Sequence, residues 1–179
     1  MTDGRASTYR IRQARPDELP LLPAIETAAA DLFRQSAYPW IADEPNGMDA
    51  ALFERCQDTW CLWVATDAAG LPVGFAAFAP EDDQIWLGEL SVHPDHHRRG
   101  LGAALIDKAA GFYGPRGIPR MTLTTFRDVP WNAPYYARLG FAMIDDLSAE
   151  PFLAAQIEKE EGWGAPEGSR VAMQRILDE

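Results

Sequence analysis

The run Leu90-Ser91-Val92-His93-Pro94-Asp95-His96-His97-Arg98-Arg99-Gly100-Leu101-Gly102-Ala103-Ala104-Leu105 constrains this chain more than any other stretch. An apolar strand enters a short basic loop, and two glycines then open a helix. Glycine lets the backbone come close to a ligand, and the first N–H groups of a helix have no internal partner. Those donors stand at the positive end of the helix dipole, a setting that favours a pyrophosphate. Arg98 and Arg99 add charge where the loop meets the ligand. With His96 and His97 they form a basic island on a chain of formal charge −11.

Two familiar phosphate-binding patterns do not fit. A nucleotide P-loop requires Gly-x-x-x-x-Gly-Lys-Ser/Thr, which does not occur. A dinucleotide fingerprint requires a third glycine, where Leu105 stands, and an acidic residue about twenty positions past the first glycine, where Arg120 stands. A third pattern does fit. Val92-His93-Pro94 followed by His97-Arg98-Arg99-Gly100-Leu101-Gly102 resembles the acyl-CoA loop of the GNAT acetyltransferase superfamily, Gln/Arg-x-x-Gly-x-Gly/Ala behind a Val-x-Pro strand end. His97 departs from the usual Gln or Arg. A second block, Asn132-Ala133-Pro134-Tyr135-Tyr136-Ala137-Arg138-Leu139-Gly140-Phe141, is similar to the superfamily's later Asn and Tyr-x-x-Leu-Gly-Phe motif. The thirty residues between Gly102 and Asn132 hold one helix, one strand and two short connections.

The resemblance implies a mixed α/β fold. Its centre is a mostly antiparallel, twisted sheet of about six or seven strands with helices on both faces and a splay between strands four and five. It also implies acetyl-CoA as co-substrate, held by main-chain N–H groups of Arg98, Arg99, Gly100, Gly102 and Ala103. Backbone donors at Leu90 and Val92 would serve pantetheine and the acetyl carbonyl. Asn132 would cap a helix and contact pantetheine, and Tyr136 would protonate the leaving thiolate. Dimers are common among such proteins, so a homodimer is implied.

At 179 residues and 47% hydrophobic content, the chain is expected to form one domain over residues 1–179, with residues 1–7 disordered. No run of about 18 apolar residues occurs, which argues against a membrane span. The N-terminus lacks the apolar core of a signal peptide. Cys56 and Cys61 suit a reducing cytoplasm better than a disulfide framework. The negative charge disfavours nucleic acid and favours a cationic partner. His93, His96 and His97 crowd into one loop, whereas catalytic metal sites draw ligands from separate elements, so no metal is expected.

Along the chain, strands are expected from Tyr9 to Arg12, Cys61 to Thr66, Val73 to Phe78, Gln84 to Val92, Met121 to Thr125, from Phe141, and from Val171 to Leu177. A first helix begins at Pro16 and carries Leu22, Ile25, Ala29, Leu32 and Phe33 on one face. Ser36 to Met48 reads as a loop and Asp49 to Cys56 as a short helix. Gly100 to Tyr113 presents a core stripe of Leu101, Leu105, Ala109 and Phe112. Pro134 to Leu139 forms another helix, and Phe152 to Glu161 an acidic surface helix.

Acetyl transfer to an amine requires removal of a proton, stabilisation of a developing oxyanion and neutralisation of a thiolate. A lysine-like amine with pKa near 10.4 is neutral in about one molecule per thousand at pH 7.4, a deficit of roughly 4 kcal/mol. Glu89 is the leading candidate base, because a carboxylate inside the apolar strand Trp86-Leu87-Gly88 needs a reason; a structural ion pair with an arginine is the alternative. Glu26 on the first helix is second. Phe33, Tyr38 and Trp40 would line the acceptor pocket and could hold an amine by cation–π contact. The expected function is thus N-acyl transfer to an amine of a small molecule or peptide, without a covalent intermediate. The rival is a non-catalytic acyl-CoA-binding or sensing module.

Overall fold

The computed structural model describes residues 9–43, 56 and 61–178. Its strands are β1 Arg10–Gln13, β2 Leu62–Thr66, β3 Pro72–Glu81, β4 Gln84–Val92, β5 Arg120–Phe126, β6 Ala142–Met143 and β7 Arg170–Ile176. Its α-helices are α1 Leu22–Ala30, α2 Leu101–Tyr113, α3 Ala133–Arg138 and α4 Pro151–Glu161. The strands form one sheet in the order β1-β2-β3-β4-β5-β7-β6. Neighbours are antiparallel except β4 and β5, which run parallel.

Every residue from Val73 to Ala79 is buried, so both faces of β3 are covered. Helices α1 and α2 both pack against it, and α4 covers β5 and β7. The core runs through Phe75, Phe78, Leu105, Ile106, Met121 and Leu123, each at most 1% exposed. On α2 the buried stripe is Leu101, Leu105, Ile106, Ala109 and Tyr113. Phe112 is only partly buried, its ring set between Trp63 and the Arg116 guanidinium.

Two irregularities in β4 prepare a site. Pairing with β5 covers only Gln84, Ile85 and Trp86, opposite Arg120, Met121 and Thr122, after which the strands part. This is the splay expected above. In the β3–β4 ladder, Ala77 faces Glu89 and Phe78 faces Leu87, so Gly88 is an extra, unpaired residue. Such a bulge shifts the pleat by one position beyond it. Leu90, Val92 and the other residues past Gly88 therefore exchange faces relative to Trp86.

Several local expectations are corrected. The first helix does not begin as α-helix at Pro16: Pro16–Leu21 is a 3-10 helix, because Pro20 and Pro23 lack the N–H that an α-helical ladder needs. Glu18 is 2% exposed there and accepts from Arg12 and from the Arg15 N–H, which ties this turn to β1. Leu32 and Phe33 lie in a further 3-10 helix, Asp31–Gln35, and Pro39–Asp43 forms another inside the expected loop. Helix α4 is not a surface helix, since Leu153 and Glu160 are 0% and 8% exposed. The expected disorder of residues 1–7 and the helix from Asp49, apart from Cys56, lie outside the described residues. Cys56 and Cys61 are buried, and no disulfide joins them. Among the described residues no helix is long and apolar enough to cross a membrane.

Candidate active site

The loop from β4 to α2 is shaped by its own side chains. His93 Nδ1 accepts from the Asp95 N–H at 3.3 Å, Tyr9 Oη lies 2.9 Å from His96 Nδ1, and His97 Nε2 lies 2.8 Å from the Val92 carbonyl. Each histidine thus has a partner within the protein, and His97, as the Nε2–H tautomer, pins the loop to β4. Among the described residues no group of three or more His, Cys, Asp or Glu could hold a metal ion. Arg98 adopts φ 57°, a left-handed conformation rare outside glycine, and strain of this kind concentrates at ligand-binding loops.

The two loop glycines are glycine for different reasons. Gly100 caps α2 at φ 75°, and a Cβ there would meet nothing within 4 Å. It is required by conformation, and the space around it is open. A Cβ on Gly102 would stand 2.6 Å from Tyr135 Oη. The first intrahelical bond runs from the Ala104 N–H to the Gly100 carbonyl, so the N–H groups of Leu101, Gly102 and Ala103 have no partner inside the helix. The Ala103 N–H acts on the Tyr135 phenol, partly offsetting the rise in its pKa that burial causes.

On the β3 side of β4, the His93 N–H donates to the Val73 carbonyl. Backbone groups alternate sides along a strand, so the N–H groups of Leu90 and Val92 face the other way, toward the gap left by β5. The Leu90 N–H there acts on the carboxylate of Glu89 and favours its charged form. Leu90 itself leans on α2, with Cδ2 3.6 Å from the Cβ position of Gly102. Glu89, on the opposite face because of the bulge, accepts from Ser91 Oγ at 2.7 Å. Burial pushes its carboxyl above the ordinary range; Ser91, the Leu90 N–H and Arg170 oppose that rise, and Glu160 adds to it.

Tyr136 lies on α3 between Tyr135 and Phe141, with ring centroids 5.5 and 5.7 Å away. Burial raises its phenol well above the ordinary value, and the charge of Glu89 raises it further. The fold thus brings the two sequence-predicted catalytic side chains within electrostatic reach of each other. Gly140 ends α3 at φ 86°, as a left-handed helix terminus demands. Asn132 occupies the N-cap position of α3 but makes no side-chain capping bond. The reason is local: Pro134 has no N–H, and the Tyr135 N–H already donates to the Asn132 carbonyl at 2.8 Å. Instead the Asn132 amide donates to Thr125 Oγ1 at 2.7 Å, leaving Oδ1 buried without a partner.

Around Glu89 the structure gathers residues that sequence reasoning missed. Arg170 donates to Glu160 from Nε at 2.8 Å and also from Nη2, while Thr124 Oγ1 donates to Glu160 at 2.7 Å. The same guanidinium lies 4.4 Å from the Phe126 ring centroid. Tyr38 stacks on Phe126 at 4.1 Å, and Phe33 packs against Phe126 and Trp131. The ring of Tyr38 is therefore committed to packing, and the cation on an aromatic face here is the protein's own Arg170. Glu26 is partly buried on α1, which packs against β4, but the charges acting most on Glu89 are Arg170 and Glu160. A signal for Glu160 existed: Leu153, Ile157 and Glu160 follow the i, i+4, i+7 spacing of one helix face.

Residues 26–141 match the acetyltransferase (GNAT) family. The chain is 28% identical to streptothricin acetyltransferase of Streptomyces lavendulae, over 79% of this chain and 86% of that protein. It is 25% identical to L-2,4-diaminobutyric acid acetyltransferase of Nocardia farcinica, over 74% and 69%. Among solved structures, the PaiA N-acetyltransferase of Thermoplasma acidophilum in complex with coenzyme A has the same fold, with a TM-score of 0.68 at 17% identity over 94% of this chain and 99% of that one.

Proposed function

Because this chain belongs to the acetyltransferase (GNAT) family and is an acetyl-CoA-dependent N-acetyltransferase, we propose that it acetylates a cationic primary amine of a small molecule or peptide by direct attack in a ternary complex, as one domain. The observation that carries this reading is the Gly88 bulge, which sets Glu89, opposite Ala77 in the ladder, on the face from which its charge reaches Tyr136.

Acetyl-CoA fits the residues present. The open space at Gly100 and the N–H groups of Leu101 and Gly102 suit the pyrophosphate. The gap beside Leu90 and Val92 suits pantetheine, whose amide N–H groups match the buried, unpartnered Asn132 Oδ1. The Leu90 and Val92 N–H groups, which face that gap, suit the thioester oxygen. Backbone donors preorganised in this way contribute around 3 kcal/mol each to an oxyanion.

Glu89 takes a proton from the ammonium. The free amine nitrogen then attacks the thioester carbon, the C–S bond breaks as Tyr136 gives its proton to the departing sulfur, and the acetylated nitrogen releases its second proton through solvent, which restores the Tyr136 phenol. Glu160 and Arg170 neutralise one another, so the uncompensated charge facing the amine is that of Glu89. The relatives named for streptothricin and for a diamino acid support an amine acceptor. An acceptor screen at pH 8 over polyamines, amino acids, amino sugars and short peptides tests the reading. Activity on the cationic amines is expected; a preference for anionic or neutral hydroxyl acceptors overturns it.

A further inference from the structure

We propose that Tyr135, the neighbour of the catalytic tyrosine, is itself part of the pyrophosphate cradle, and that position 102 is glycine in order to admit its phenol. The inference rests on the reading that the CoA pyrophosphate seats on the N-terminus of α2.

Three observations carry it. The Tyr135 hydroxyl lies where a Cβ on Gly102 would have to be, 2.6 Å away, whereas the ring carbon Cζ is 3.6 Å from that position. Only the oxygen is in conflict with a side chain there. That oxygen stands over the first turn of α2, beside the Ala103 N–H, one of the three donors the helix leaves without an internal partner. The phenol is held in place by the Tyr136 ring at 5.5 Å and by the Arg138 guanidinium 5.8 Å from its own centroid.

A hydroxyl has a proton to donate. Tyr135 therefore adds its own O–H to the open N–H groups of the helix start, with the proton free to point at an anion beside Leu101 and Gly102. A space-filling aromatic has no need of an oxygen at this spot. The arrangement also joins cofactor seating to the catalytic acid, since Tyr135 and Tyr136 are consecutive residues of the short helix α3.

Calorimetry at fixed salt with CoA and with pantetheine, which lacks the pyrophosphate, tests the proposal. Wild type should bind CoA more tightly than pantetheine. Tyr135→Phe should weaken CoA at least about tenfold, the size of one hydrogen bond to a charged group, and leave pantetheine unchanged. Gly102→Ala should cost wild type a similar factor by pushing the hydroxyl aside, yet cost little in the Tyr135→Phe background, where Cζ alone faces the new methyl. If wild type holds pantetheine as tightly as CoA, the pyrophosphate seat itself is wrong and the proposal falls with it. If wild type prefers CoA and Tyr135→Phe keeps that whole preference, the seat stands and Tyr135 has no part in it. Equal losses from Gly102→Ala in both backgrounds also overturn the proposal, since the glycine would then serve the ligand directly.

Discussion

From Val92 to Ala103, consecutive residues supply the loop, the helix start and the open donors of the cofactor side. The side we propose for the acceptor is gathered from Phe33, Tyr38, Glu89, Thr124, Phe126, Glu160 and Arg170, which are scattered over most of the chain. The first binds through backbone groups whose direction follows from local conformation. The second works through side chains whose positions depend on the whole fold. A backbone site tolerates side-chain changes and fails when φ is disturbed. A side-chain site fails one residue at a time.

The largest expected effect therefore falls on the acceptor side. Glu89→Gln should lower the plateau of kcat/KM by about 10²- to 10⁴-fold, the range for loss of a positioned base. Because burial raises the Glu89 pKa, the wild-type acid limb should lie above the ordinary carboxylate range: activity is present once Glu89 ionises and is lost as pH falls through the raised value. The substitution should abolish that limb. A plateau and limb unchanged in the variant would move the base elsewhere and erase the contrast between the two sides.

Tyr136→Phe comes next, with turnover down about 10- to 1000-fold and CoA affinity nearly unchanged, because the ring still packs on Tyr135 and Phe141. Burial and the Glu89 charge both hold the phenol protonated, so the acid form persists across the working pH range. Single-turnover kinetics beside calorimetry would separate the two effects. If affinity fell as far as turnover, Tyr136 would belong to the binding machinery.

The same contrast explains what could be read beforehand. The strand from Gln84 to Val92, the α2 glycines and the Tyr136 block are local patterns, and the structure places all of them as expected. The Gly88 bulge was hidden, because an extra residue in a ladder shows only against its partner strand. The Arg170–Glu160 pair was hidden too: an acidic helix segment looks solvent-facing until β7 puts a guanidinium beneath it. Removing one partner of such a buried pair costs about 3–5 kcal/mol, because the charge left behind is buried without compensation. Asn132 was read by residue type as a cap, and Pro134 removed the donor such a cap would serve.

On the cofactor side, Gly100→Val should weaken CoA binding by about 10- to 100-fold, since a β-branched residue at φ 75° costs about 1–3 kcal/mol and its side chain enters the open space the ligand needs. Thermal unfolding of the free variant would show how much of the strain already falls on the fold. Unchanged CoA affinity would mean that the ligand's backbone donors lie elsewhere.

The smallest effect belongs to His97, at the position where related loops carry Gln or Arg. Its Nε2 is engaged with the Val92 carbonyl, so its contribution is to hold the loop against β4. That bond is present before the ligand arrives, and one neutral hydrogen bond is worth about 1 kcal/mol. His97→Ala should therefore weaken CoA by no more than about fivefold, with part of the loss appearing as lower stability of the free protein. Calorimetry on His97→Ala and Gly100→Val in the same buffer gives the ratio directly. A loss from the histidine as large as that from the glycine would show that a side chain carries the anion, and the cofactor side would then obey the same rules as the acceptor side.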